Sequence, residues 1–167
     1  MRKFNGEAAK AVEAGKKIYH LNIGQPDILT PAAFYDALKA FDQPVLSYAP
    51  SGGVPELLDA VRKYYARIGV ELSRAQILPT SGGSEALQMT MATLLDDGDE
   101  LLVPEPYYPN YHTSVTLAGA KVHPITTSPE EGYRYAVRER VEAEINEHTR
   151  AILISNPGNP TGVLLTP

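Results

Sequence analysis

Apolar residues recur along this chain at two different periods, and the change between them divides it. From Glu7 to Lys17 alanines dominate, which predicts a helix or helical arm. The segment Leu21-Asn22-Ile23-Gly24-Gln25-Pro26-Asp27 breaks that pattern as an extended turn. Thr30-Pro31 reads as a helix start, with Thr30 as cap and Pro31 at the first position, where a missing N–H costs nothing. Phe34, Leu38 and Phe41 follow at i, i+4 and i+7, a helical stripe. After the small-residue loop Ser47-Tyr48-Ala49-Pro50-Ser51-Gly52-Gly53, Pro55-Glu56 opens another helix, with Leu57, Leu58, Val61, Tyr65 and Ile68 on its buried side.

Beyond Gly69 short strands alternate with helices. Strands are predicted at Gln76–Pro79, Glu100–Val103, Lys121–Thr126 and Ala151–Ser155. Helices are predicted at Ser84–Leu95, Pro109–Ala118 and Arg138–Asn146. Alternation of this kind predicts an α/β fold, a mostly parallel sheet covered by helices.

Composition narrows the partners. The 167 residues carry a net charge of −5, with 43% hydrophobic and 21% charged residues, as in ordinary globular domains. That balance argues against nucleic acid or anionic lipid as a main partner. With no cysteine there is no disulfide, no thiolate metal site and no cysteine nucleophile. No signal-peptide-like or membrane-spanning apolar run stands out, so a soluble, cytoplasmic protein is expected.

Three loops after predicted strands carry candidate chemistry. In Thr80-Ser81-Gly82-Gly83-Ser84-Glu85-Ala86-Leu87 the glycines admit close approach of an anion, and the following helix offers free N–H groups. The same residues equally suit a plain strand–helix turn with serine capping. Pro104-Glu105-Pro106-Tyr107-Tyr108-Pro109-Asn110-Tyr111 builds a rigid, flat-walled edge on which a planar ring can stack, although tyrosines there also suit simple packing. Ser155-Asn156-Pro157-Gly158-Asn159-Pro160-Thr161-Gly162 sets two Asn-Pro pairs three residues apart between glycines. That fixes an irregular backbone where α/β proteins place their chemistry and leaves the Asn159 amide pointing into the cleft.

Taken together, these residues resemble the class I/II aminotransferases, which are fold-type-I pyridoxal-phosphate enzymes. Asn-Pro-Gly-Asn-Pro-Thr-Gly, from Asn156 to Gly162, is similar to that family's signature. Ser81 to Leu87 sits at its phosphate-binding turn, and Pro106 to Tyr111 at its ring-stacking position. Leu21 to Asp27 resembles its substrate-side loop, and Tyr48 to Leu57 its dimer-interface loop. The resemblance implies a three-layer α/β/α large domain preceded by an N-terminal helical arm. Residues 1–46 would form the arm and a small-domain segment, and 47–167 the first part of the pyridoxal-phosphate-binding domain. It further implies that Gly82, Gly83 and Ser84 cup the cofactor phosphate, that Tyr108 stacks on the pyridine ring, and that Asn159 donates to the ring's phenolic oxygen. Gly24 would lie beside the substrate carboxylate, and Tyr48 would reach the phosphate of the neighbouring subunit in a homodimer. Gly24 and Tyr48 also suit plain turn and interface roles. Cis peptide bonds are implied at Glu105-Pro106 and Asn159-Pro160.

The implied reaction moves an amino group between an amino acid and a 2-oxo acid. It needs a Schiff-base lysine, an acidic partner for the pyridinium and a carboxylate-binding arginine. The family places all three downstream of this segment, so no catalytic residue is assigned, and the chain is read as a fragment that is inactive by itself. Thr166-Pro167 resembles the start of a further helix. The family's sheet has seven strands in the order 3-2-4-5-6-7-1; this chain would supply the first four, leaving the Gln76–Pro79 strand separated from the others. The same motifs fit a carbon–sulfur lyase or a cyclopropane-forming synthase of that fold, or a truncated paralogue acting as a binding module.

Overall fold

The computed structural model describes residues 4–21, 24 and 26–165. Asn22, Ile23 and Gln25 of the expected extended turn, and the Thr166-Pro167 helix start, lie outside the described residues. The chain divides into two compact units, Met1–Tyr48 and Ala49–Pro167.

The first unit carries α1 (Asn5–Glu13) and α2 (Ala32–Lys39). Helix α1 ends before the predicted Lys17 because Gly15 takes a positive φ of 78°, folding the chain back so that the N–H of Lys16 meets the carbonyl of Ala11. At α2 the expected Thr30 cap is not made: Pro31, in an extended conformation, is the residue that precedes the helix. The Phe34, Leu38 and Phe41 stripe forms as a helical face, but all three side chains are exposed.

The second unit is α/β, with the expected parallel sheet. Its elements are α3 (Pro55–Ala66), α4 (Gly83–Leu94), β1 (Glu100–Pro104), α5 (Asn110–Leu117), β2 (Lys121–Ile125), α6 (Arg138–Glu144) and β3 (Thr149–Ile152). The strands pair in the order β2-β1-β3, all parallel. From β1 to β2 the chain crosses through α5, and from β2 it returns past β1 to β3 through α6. Right-handed crossovers in opposite directions put those helices on opposite faces.

The side chains agree with that layering. Leu101 and Val103 of β1 pack with Met91 and Leu95 after α4 and with Val115 of α5 in one buried cluster. Leu102, fully buried, alternates to the other face, which His123 of β2 shares through its register pairing. Pro124 lacks an N–H and sits in β2, a strand with a partner on one side alone.

The sequence overstated two features. Gln76–Pro79 is not a strand: Arg74–Gln76 is a turn of 3-10 helix, closed by a Ser73/Gln76 capping box, and Ile77–Pro79 joins no ladder. An extended segment without a neighbour to hydrogen-bond cannot become sheet, whatever its side chains favour. On α3, Leu58 alone is buried, while Leu57, Tyr65 and Ile68 are 44%, 38% and 64% exposed. Leu58 is covered because Gly53 and Pro79 meet beside it. No described helix is long and apolar enough to cross a membrane.

Two consequences can be measured. A Cβ at Gly53 would stand 2.7 Å from Pro79 Cγ, and the backbone there has φ of 95°. Gly53→Ala is therefore expected to lower stability in urea unfolding by about 1–3 kcal/mol. Gly52→Ala, which meets open space, should cost clearly less.

The second concerns His123, whose ring bonds Glu100 through Nδ1 and Glu144 through Nε2, each at 2.8 Å. The Glu144 bond, opposed by burial and helped by Glu100, raises the imidazole above its ordinary 6.5. Asn146 and then His123 hold Glu100 below its ordinary 4.5. The imidazole's contribution is full below pH 6.5 and fades as pH rises through its raised value, whereas the carboxylate's is full above 4.5 and fades as pH falls. Stability should therefore peak between those limits, and His123→Gln should flatten the decline on the alkaline side in a pH series of melting temperatures.

Candidate functional site

The helices that follow β1 and β2 lie on opposite faces, which puts a switch point between those strands, and a cleft opens at the carboxyl ends of β1, β2 and β3, where open α/β sheets bind ligands. Two of the three loops singled out in the sequence meet there. The Glu105-Pro106-Tyr107 turn after β1 and the Ser155–Thr161 loop after β3 line one cleft, and Asn159 stands on its wall. Cis peptides occur at Glu105-Pro106 and Asn159-Pro160, and also at Asn156-Pro157.

The β3 loop is held by its own hydrogen bonds. Gly158 N–H donates to the Val163 carbonyl at 2.8 Å, and Gly162 N–H donates back to the Gly158 carbonyl at 2.7 Å. Val163 N–H reaches Thr161 Oγ1 at 3.3 Å, while Leu165 N–H reaches Asn156 Oδ1 at 3.1 Å. A Cβ at 158 would stand 2.5 Å from Thr161 Oγ1, so the threonine hydroxyl that takes the Val163 N–H would have to turn away.

The aromatic wall differs from the expected one. Tyr107 and Tyr111 line the cleft with their rings stacked, 6.5 Å apart and 21° from parallel. Tyr108 is not among the lining residues; it meets Tyr111 edge-on and accepts a bond from Asn110 Nδ2 at 2.8 Å through its hydroxyl. Thr127, Tyr133 and Tyr135 close the far side, and sequence reading missed them. Their one signal was the Tyr-Arg-Tyr alternation behind Gly132. Tyr133 has φ of 54°, in the left-handed region, and burial raises the Tyr135 hydroxyl above its ordinary value. Glu105 is the lining residue with a formal charge; its carboxylate accepts from Thr126 Oγ1 at 3.2 Å and its carbonyl from Thr127 Oγ1.

The glycine-serine turn opens α4. Gly82, with φ of 126°, precedes the helix and Gly83 begins it. The N–H groups of Gly83 and Ser84 lie in the first turn, where the helix supplies no acceptor. Gly82, Gly83 and Ser84 are exposed, and open space surrounds both glycines. Glu85 reaches back to the Ser81 N–H, and Thr80 Oγ1 donates to the Gly82 carbonyl at 3.0 Å, which leaves those two amides free. The turn does not line the cleft that holds Asn159. Gly24 and Tyr48 lie in the other unit, both exposed.

These residues suit a phosphorylated aromatic ring in part. Room and free donors for a phosphate exist at Gly83 and Ser84, and a carboxamide is available to a ring oxygen at Asn159. No lysine or arginine lines the cleft among the described residues, so none can bond covalently to a carbonyl compound held there.

Comparison with known proteins agrees. Residues 16–167 match the aminotransferase class I and II family. An aspartate aminotransferase of Streptomyces avermitilis is 38% identical over 162 residues, which cover 95% of this chain and 40% of that protein. The aspartate/prephenate aminotransferase of Thermus thermophilus is 35% identical, over 96% of this chain and 42% of its own length. Among solved structures, an alanine aminotransferase from Pyrococcus furiosus superposes with a TM-score of 0.89 at 35% identity, over 98% of this chain and 42% of that one. The chain thus spans about 40% of the length of these relatives. On the family match, the sequence identity and the shared fold, the chain belongs to the class I and II aminotransferase family.

Proposed function

We propose that this chain contributes the phosphate cup and one wall of the cofactor pocket to a pyridoxal-phosphate-dependent aminotransferase, which moves an amino group between an amino acid and a 2-oxo acid. The observation that supports it best is the cleft at the ends of β1 and β3, where Asn159 faces the Tyr107/Tyr111 wall. When bound, the cofactor supplies an electron sink. The chain's own part is to hold it: the amides of Gly83 and Ser84 and the Ser84 hydroxyl take the phosphate, with Gly82 giving the turn its shape. Asn159 steadies the ring oxygen, and Tyr108 is assigned to the ring face. Residues 1–46 serve as arm and small-domain segment and 47–167 as part of the cofactor domain. Gly24 is assigned to the substrate carboxylate and Tyr48 to the partner's phosphate in a homodimer. The protein is assigned to the cytoplasm. No lysine lines the cleft among the described residues, and the 167 residues alone are assigned no transamination.

A chimera tests this reading: the chain replaces the matched segment of the Streptomyces avermitilis aspartate aminotransferase. The chimera is expected to take up pyridoxal phosphate, seen by its visible absorption, and to form glutamate from aspartate and 2-oxoglutarate. Ser84→Ala and Asn159→Ala should each lower kcat/KM by about tenfold, the scale of one hydrogen bond to a charged or developing-charge group. Release of ammonia and pyruvate in place of glutamate would favour the lyase reaction. A folded chimera that takes up no cofactor would sink the proposal.

A further inference from the structure

We propose that Asn156 is the positioning residue for Asn159, an assignment that rests on the cofactor role given to Asn159 above. Ten residues follow β3 before the Gly162 turn closes, and beyond Leu153, whose N–H donates to the Leu102 carbonyl of β1, no sheet or helix holds them. Pro157 and Pro160 remove two backbone donors from this stretch. The bonds that remain fall into two groups. Gly158 with Val163, Gly162 with Gly158, and Val163 with Thr161 Oγ1 make a small ring that contains Asn159. That ring fixes its members to one another and leaves its orientation on the strand unset.

The orientation is set at the stem. There the Asn156 carboxamide oxygen accepts the Leu165 N–H at 3.1 Å and ties the two legs of the loop together across nine residues. The neighbouring Ser155 hydroxyl bonds the Pro157 carbonyl, on the same leg, and so cannot perform that task. Removing the stem bond frees the ring to swing as a body, and Asn159 leaves its place on the cleft wall while the Gly82–Ser84 turn, on another element, stays as it is. The two asparagines of the double Asn-Pro motif thus divide the work: one faces the ligand and the other aims it.

An oxygen acceptor is all the stem needs, which gives a conservative rescue. In the full chain, Asn156→Ala is expected to speed hydrogen exchange at the Leu165 amide by about five- to tenfold, the scale of one neutral hydrogen bond. It should also shift the Asn159 side-chain amide resonances, and Asn156→Asp should restore both. In the chimera described above, pyridoxal phosphate affinity, followed by the induced circular dichroism of the bound cofactor, should fall by a similar factor in Asn156→Ala. The fall should be no greater in Asn156→Ala/Asn159→Ala than in Asn159→Ala, because one residue acts through the other. Inorganic phosphate affinity should not change. Unchanged Leu165 exchange in Asn156→Ala, or losses of cofactor affinity that simply add, would overturn the assignment. A folded wild-type chimera that binds no pyridoxal phosphate would instead sink the functional reading, and the stem bond would then be judged by the Leu165 and Asn159 signals alone.

Discussion

Strand β1 is hydrogen-bonded along both margins and covered on both faces, and the rest of the larger unit is arranged around that condition. Its three central residues, Leu101, Leu102 and Val103, are at most 2% exposed. Each buried side chain of this size is worth about 1.5–3 kcal/mol. A strand in that position cannot be reached by a hairpin from a parallel neighbour, so the chain must leave by a helix and come back by another. The two crossovers run in opposite directions, and an opening at the carboxyl ends of β1 and β2 follows from that geometry before any side chain is chosen.

The site is built on this frame from parts of unequal rigidity. Tyr107 and Tyr111 extend the buried cluster and are fixed by it. Asn159 has no such backing and depends on the hydrogen bonds of its own loop. The Gly82–Ser84 turn hangs on α4, whose Met91 is anchored in the same cluster while its first residues face open space. Wall, loop and turn are therefore coupled to β1 in decreasing order, although all three leave the carboxyl ends of extended segments.

Much of this was legible in the residues. Period and punctuation located all six helices and three of the four strands to within a few residues, because helix starts and glycine stops are local events. The double Asn-Pro motif announced an irregular loop at a strand end, where it stands. The failures share one cause. Whether Ile77–Pro79 becomes a strand depends on a partner that can bond to it, and whether the apolar face of α3 is buried depends on something to cover it; neither fact is carried by the segment itself. Tyr133 and Tyr135 escaped for a related reason, since a loop joining β2 to α6 reaches the cleft through tertiary folding alone.

Pro124 gives the sheet a polarity across its width. On the β2 margin the proline withdraws a donor and Lys121 adds a charge, both of which discourage another strand from laying itself alongside. The β3 margin has no proline, its Arg150 is tied back to Asp99, and Ile152 beside it is 41% exposed. The two borders of the sheet are thus unequal: β2 is the better guarded against a further strand, and β3 the more open to one.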